Sequence, residues 1–149
     1  MDPYRFRFRS VWDLPAPPGI VRAVLGRPDQ YPSWWPQVRE ATRLDAHSGT
    51  ARIRSFLPLD LTVTVTEVPR DPGAGVLESA LGGDIEGWAR WTLTSPAQGR
   101  TRARYDQQVV VRRPLLRRLA LPGRPLFTAN HAWMMRAGRR GLVAYLDTV

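Results

Sequence analysis

At 149 residues the chain has the length of one domain and is expected to fold as a single unit over residues 1–149, burying roughly two thirds of the surface its unfolded form exposes. Hydrophobic residues make up 43% and charged residues 23%, proportions that exclude collagen, coiled coil and wholesale disorder. The absence of cysteine removes disulfides, thiolate nucleophiles and Cys-ligated metal centres, and because all 22 residues of the Lys+Arg count are Arg, Schiff-base lysines and a P-loop fall away too.

The first segment, Tyr4 to Trp12, alternates aromatic residues with Arg and so predicts a half-buried strand with Tyr4, Phe6, Phe8 and Trp12 on one face. Pro15-Ala16-Pro17-Pro18 ends it. Ile20, Val21, Val24 and Leu25 then recur at helical spacing before Gly26, which predicts a short amphipathic helix. A second helical turn is expected at Pro28, confined by Pro32 and Pro36, with Tyr31, Trp34 and Trp35 on a prolyl knuckle.

From Val38 to Val111, runs of strand-forming residues separated by turn chemistry predict six antiparallel strands. The clearest are Leu61–Thr66, Ile85–Leu93 and Thr101–Val111. In the last, Thr101, Ala103, Tyr105, Gln107, Val109 and Val111 form the expected inner face, against Arg102, Arg104, Asp106 and Gln108 outside. The period changes to 3.6 after Pro114, is interrupted at Pro122-Gly123-Arg124-Pro125, and then predicts a long C-terminal helix from Leu126 to Leu146. Its inward stripe is expected to carry Leu126, Asn130, Trp133, Met134, Ala137, Gly141, Leu142, Tyr145 and Leu146. Gly138 and Gly141 cost helix stability, so close packing against the sheet or the first helices is the expected reason for them.

No apolar run approaches the roughly 20 residues needed to cross a bilayer, and Met1 to Phe6 lacks a secretory apolar core, which gives the cytoplasm as the expected location. The formal charge of +9 suits an acidic partner, yet no recognition helix, RNP-like aromatic motif or Gly-rich clamp accompanies it, which disfavours nucleic acid. Arg5, Arg7 and Arg9, with Arg100, Arg102 and Arg104, are expected on the wet outer faces of the first and last strands. His47 and His131 are the only imidazoles, too few for a multi-histidine metal site.

One strand, two short helices, six strands and a long helix sharing one core are best accommodated by a curved sheet wrapped around the helix. That order, together with Phe8-Arg9-Ser10-Val11-Trp12, the Tyr31-Pro32-Ser33-Trp34-Trp35-Pro36 knuckle, Gly87-Trp88-Ala89-Arg90-Trp91 and the run from Asn130 to Gly138, resembles the START-like helix-grip superfamily (SRPBCC). The motifs are most similar to its polyketide cyclase/dehydrase and lipid-transport branch. The resemblance implies an α+β helix-grip fold, with a curved seven-stranded antiparallel sheet around the C-terminal helix. It also implies an internal apolar cavity for a lipid-, polyketide- or aromatic-like molecule; no metal and no cofactor are expected, since carboxylate-only metal binding is open to the composition but has no residue spacing to support it.

Within such a cavity Trp35, Phe56, Trp91, Tyr105, Phe127 and Met134 are the candidate lining, although aromatic residues at these periods also serve as plain core. Tyr105, Gln107 and Asn130 are the candidate polar anchors, because an inward-facing polar group without a partner costs a few kcal/mol. Mutual hydrogen bonding in a filled core is the competing explanation. His131 sits about 100° around the helix from Asn130, at the rim or, more commonly for such a residue, on the surface. A cyclase, aromatase or dehydratase using the same cavity is the enzymatic alternative, with Tyr105, His131, Asp106, Asp84 and Glu86 as available groups. Strand alternation puts those three carboxylates mostly outside, so no catalytic residue is assigned. A third alternative is an Arg-faced module that binds acidic partners.

Overall fold

The computed structural model describes residues 2–54, 60–120 and 122–149. Strand β1 (Arg5–Leu14) leads into helix α1 (Pro18–Leu25) and a 3-10 turn (Pro28–Ser33). Six strands follow: β2 (Val38–Arg43), β3 (Ser48–Arg54), β4 (Asp60–Val68), β5 (Val76–Gly83), β6 (Ile85–Thr94) and β7 (Thr101–Val111). Helices α2 (Pro114–Ala120) and α3 (Arg124–Leu146) complete the chain. Pro18 begins α1, where a missing N–H costs nothing, and the proline pair at 28 and 32 holds the knuckle to a single short turn.

The seven strands form one antiparallel sheet in the order β1-β7-β6-β5-β4-β3-β2, so the first strand closes onto the last. In the β1–β7 register Phe8 lies opposite Gln107, Ser10 opposite Tyr105 and Arg9 opposite Asp106. The outer face is therefore an ionic ladder. Arg9 and Arg104 grip the two Asp106 carboxylate oxygens at 2.7 and 2.9 Å, and Arg102 meets Asp13 at 3.0 Å. Burial alone would raise the Asp106 carboxyl, but the two guanidinium groups outweigh it and hold it below the usual carboxylate range. The alternating arginines of both strands face water as expected, except that Arg100 lies in the turn before β7. Glu86 and Asp84 likewise sit outside, paired with Arg112 and Arg113.

Two apolar clusters fill the concave side. One gathers Trp12, Trp34, Trp35 and Trp91 with Leu14, Leu25, Met135 and Leu142. The other joins Phe6, Val63, Ile85, Val109 and Val111 to Leu116 and Ala120 of α2. Helix α3 is locked to the first cluster at its two internal glycines. A Cβ on Gly138 would stand 2.5 Å from the Trp35 ring, and one on Gly141 would stand 1.7 Å from the Trp34 carbonyl oxygen. The Trp35 indole N–H also donates to the Met134 carbonyl at 3.0 Å.

This contact sets the rotation of α3 and corrects the expected stripe. Leu126 and Trp133 lie about 120–140° around the helix from Gly138 at 100° per residue, so turning the glycine to Trp35 turns both of them outward. They are 44% and 43% exposed. Met134 faces the sheet as expected, and Phe127, His131 and Met135 join it there in place of Leu126 and Trp133, as lining of the space beneath the helix.

Candidate functional site

Between the sheet and α3 lies a cavity of about 340 Å³, within the range of small-molecule sites. It is lined from both apolar clusters, by Phe6, Val63 and Val109 on one side and Leu25, Trp35 and Trp91 on the other. Strand alternation puts the β6 and β7 side chains there, and the kinked knuckle supplies Tyr31 and Trp35.

Seven of the candidate residues read from the sequence, Trp35, Trp91, Tyr105, Gln107, Phe127, Asn130 and Met134, come together around this space. Phe56 lies outside the described residues. Trp35 is shared between wall and scaffold, because its ring also stacks on Trp34 at 5.4 Å. Trp91 packs at a tilt between Trp12 and Tyr105, with ring centroids 4.8 and 4.7 Å away. Asn130 directs its amide N–H toward the Met134 sulfur at 3.6 Å.

Three polar groups of the wall form one cluster. The Tyr105 hydroxyl donates to Gln107 Oε1 at 2.5 Å, and His131 Nε2 stands 3.3 Å from the same oxygen. A carbonyl oxygen only accepts, so Nε2 carries the imidazole proton in this arrangement. The His131 ring also stacks on Phe8, centroid to centroid at 3.9 Å. Burial in these surroundings pushes the His131 pKa down from 6.5 to about 4, so the ring is neutral at neutral pH. Burial also raises the Tyr105 and Tyr31 hydroxyls, keeping both protonated. Tyr31 donates to the Leu25 carbonyl at 2.6 Å.

Sequence reasoning placed His131 at the rim or on the surface and thereby missed a central member of the cluster. The available signal was Phe8, since β1 and β7 pair and an aromatic directly opposite Gln107 needs something to cover it. Arg22 was also missed. It lines the cavity, and its Nη1 is buried with no hydrogen bond among the described residues. His47 is exposed on the β2–β3 turn and pairs with Glu67 at 3.2 Å.

An apolar hollow with one satisfied polar cluster can hold an apolar molecule, orient a carbonyl or hydroxyl group on it and exchange a proton through a neutral imidazole. Known structures share the architecture. The Zhui aromatase/cyclase from Streptomyces sp. R1128 is 15% identical with a TM-score of 0.76, over 96% of this chain and 94% of that one. A START superfamily protein from Mycobacterium smegmatis is 12% identical with a TM-score of 0.77, over 95% and 97%. A point mutant of norcoclaurine synthase from Thalictrum flavum, in complex with a transition-state analogue, is 11% identical with a TM-score of 0.64, over 96% of each chain. No sequence among curated proteins matches the chain. The family described as polyketide cyclase/dehydrase and lipid transport matches over residues 5–147, and with nearly its whole length so matched, the chain belongs to that family.

Proposed function

We propose that this protein binds a hydrophobic small molecule of lipid, polyketide or aromatic type in the cavity beneath α3, as a single domain. The observation that supports this most is the combination of a hollow of about 340 Å³ with largely apolar walls, into which the Tyr105–Gln107–His131 cluster, Asn130 and Arg22 bring the polar groups. Trp35, Trp91, Phe127 and Met134 would contact the apolar body of the ligand. Tyr105, Gln107, Asn130 and His131 would address its polar group. Native mass spectrometry of the purified protein, followed by titration with apolar aromatic and acyl probes, tests the reading. Tryptophan emission should change and saturate near one ligand per chain, because Trp35 and Trp91 form the wall. Absence of any saturable response across both probe classes would overturn it.

The neutral His131 favours a second reading, a cyclase or dehydratase acting on a polyketone chain in the same space. His131 is a wall residue whose uncharged ring, with its proton on Nε2, can take a proton from an acidic carbon at Nδ1, while the Tyr105 hydroxyl, on turning its one O–H away from Gln107 Oε1, can donate a hydrogen bond to a developing oxyanion. Turnover of a polyketone substrate that disappears in His131→Gln, with binding retained, would support it. Turnover unaffected by the substitution would remove His131 from that role.

A further inference from the structure

The cavity accounts for the inner faces of α2 and α3 and leaves their outer faces unexplained. Between Asp106 and Asp147 the chain contains eight arginines and no carboxylate, nearly the whole of its formal +9. The same stretch holds four of the large apolar residues that remain open to water: Leu115 is 47% exposed, Leu119 42%, Leu126 44% and Trp133 43%. Helix α2 is apolar on two sides, because Leu116 and Ala120 are buried against the sheet while Leu115 and Leu119, four residues apart, stand together on the outside. Arg117 and Arg118 flank them. A surface helix of a soluble protein ordinarily turns polar residues to water on the side away from its core, so a second apolar edge needs another cause.

The elbow between the helices is held firmly in this attitude. Gly123 N–H donates to the Leu119 carbonyl at 2.7 Å, Arg124 donates to the Pro3 and Arg5 carbonyls at 2.9 and 3.1 Å, and Arg117 and Arg124 lie over the Tyr4 and Phe6 rings. Only Arg112 and Arg113 of this surface meet carboxylates among the described residues, those of Glu86 and Asp84. Leucine edges set among arginines that lack counter-charges match a layer with anions at its surface and hydrocarbon just beneath, which is how amphipathic elements rest in a membrane interface.

We infer that the α2–α3 elbow is a docking surface for an anionic lipid bilayer, entered by Leu115, Leu119 and Leu126 and attracted by Arg117, Arg118 and Arg124. Leu116, Phe127 and His131, which line the cavity, belong to the same two helices. Docking thus brings the cavity wall to the lipid surface. That this serves ligand exchange rests on the function proposed above; the docking itself does not.

Cosedimentation of the purified protein with phosphatidylcholine vesicles, and with the same vesicles carrying phosphatidylglycerol, tests the inference. Partition should favour the anionic vesicles and weaken as salt is added. The double change Leu115→Ser with Leu119→Ser should lower it about tenfold or more, and Arg118→Gln about fivefold. Leu44→Ser, at an exposed leucine on the β2–β3 turn, should leave it unchanged. Leu126→Ser gives a second apolar reading on α3 should the double variant fold poorly. Equal partition to both vesicle types, wild-type partition by these leucine variants, or a charge effect reproduced in full by duplex DNA would overturn the inference. The emission titration is run beside it. Lost vesicle binding with saturable probe binding refutes the docking surface alone, and the reverse pattern refutes the cavity reading alone.

Discussion

The two halves of α3 are built on different rules. From Met135 to Leu146 the helix is pressed onto the tryptophan cluster, with Ala137, Gly138 and Leu142 buried and Gly141 in close approach to the Trp34 backbone. From Arg124 to Met134 it spans the cavity instead, and its inner face presents Asn130, His131 and a thioether where a packed helix would carry aliphatic residues. The first half fixes position and the second presents chemistry. A side chain over a hollow has freedom that one wedged against an indole lacks, so substitutions in the two halves should differ in kind as well as in size.

The largest expected effect is at Gly141. Alanine is the better helix former by about 1 kcal/mol, so propensity alone makes Gly141→Ala stabilising. The added Cβ would stand 1.7 Å from the Trp34 carbonyl oxygen, a backbone atom that cannot rotate away. Packing should win, and the variant should lose about 3 kcal/mol or more of unfolding free energy in denaturant titration. A variant as stable as wild type would show that the C-terminal half is not clamped as described. The comparison would then lose its first term.

The next effect belongs to the other half and depends on pH. In the unfolded chain His131 takes up a proton near pH 6.5, whereas in the folded protein burial delays this until about 4. Between those values the unfolded state binds more protons, so stability falls as pH drops through that window, by up to ~3 kcal/mol, and the contribution is level above and below it. His131→Gln should remove this slope. The carboxylates held by arginines, Asp106 and Glu78, lose their contribution from the ordinary carboxylate range downward, overlapping the acid end of that window, but they do so in both proteins and cancel from the difference. Parallel stability curves for variant and wild type between pH 6.5 and 4 would place the ring in water.

Much of this arrangement was legible in the residues. Alternation along Tyr4–Trp12 and Thr101–Val111 identified the paired strands and their inner faces, because a period of two admits only two orientations. The glycines at 138 and 141 announced a close approach, since nothing else justifies them inside a helix. The rotation of α3 was not legible. Leu126 and Trp133 make as good an apolar edge as Phe127, His131 and Met135, and the choice between them is made by Trp35, about 100 residues away in sequence. Hydrophobicity alone favoured Trp133 over His131, and a cavity reverses that preference by placing a polar residue where a filled core would exclude it.

The smallest effect, and the one that bears most directly on the cavity half, is at Gln107. Its Oε1 is shared by the Tyr105 hydroxyl and the His131 ring, so Gln107→Leu strips both of their common acceptor while keeping the volume close to the original. In a filled core two stranded donors would cost the full desolvation of each, a few kcal/mol together. Beside a hollow wide enough for a small molecule, water can reach the Tyr105 hydroxyl and replace part of what is lost. The expected cost is therefore only about 1 kcal/mol in denaturant titration, with the larger change in the pH profile, because the imidazole loses the acceptor that fixed its proton on Nε2. A loss of 3 kcal/mol or more would mean that the Tyr105–Gln107–His131 cluster is dry scaffold like the tryptophan half, and would erase the distinction between the two ends of the helix.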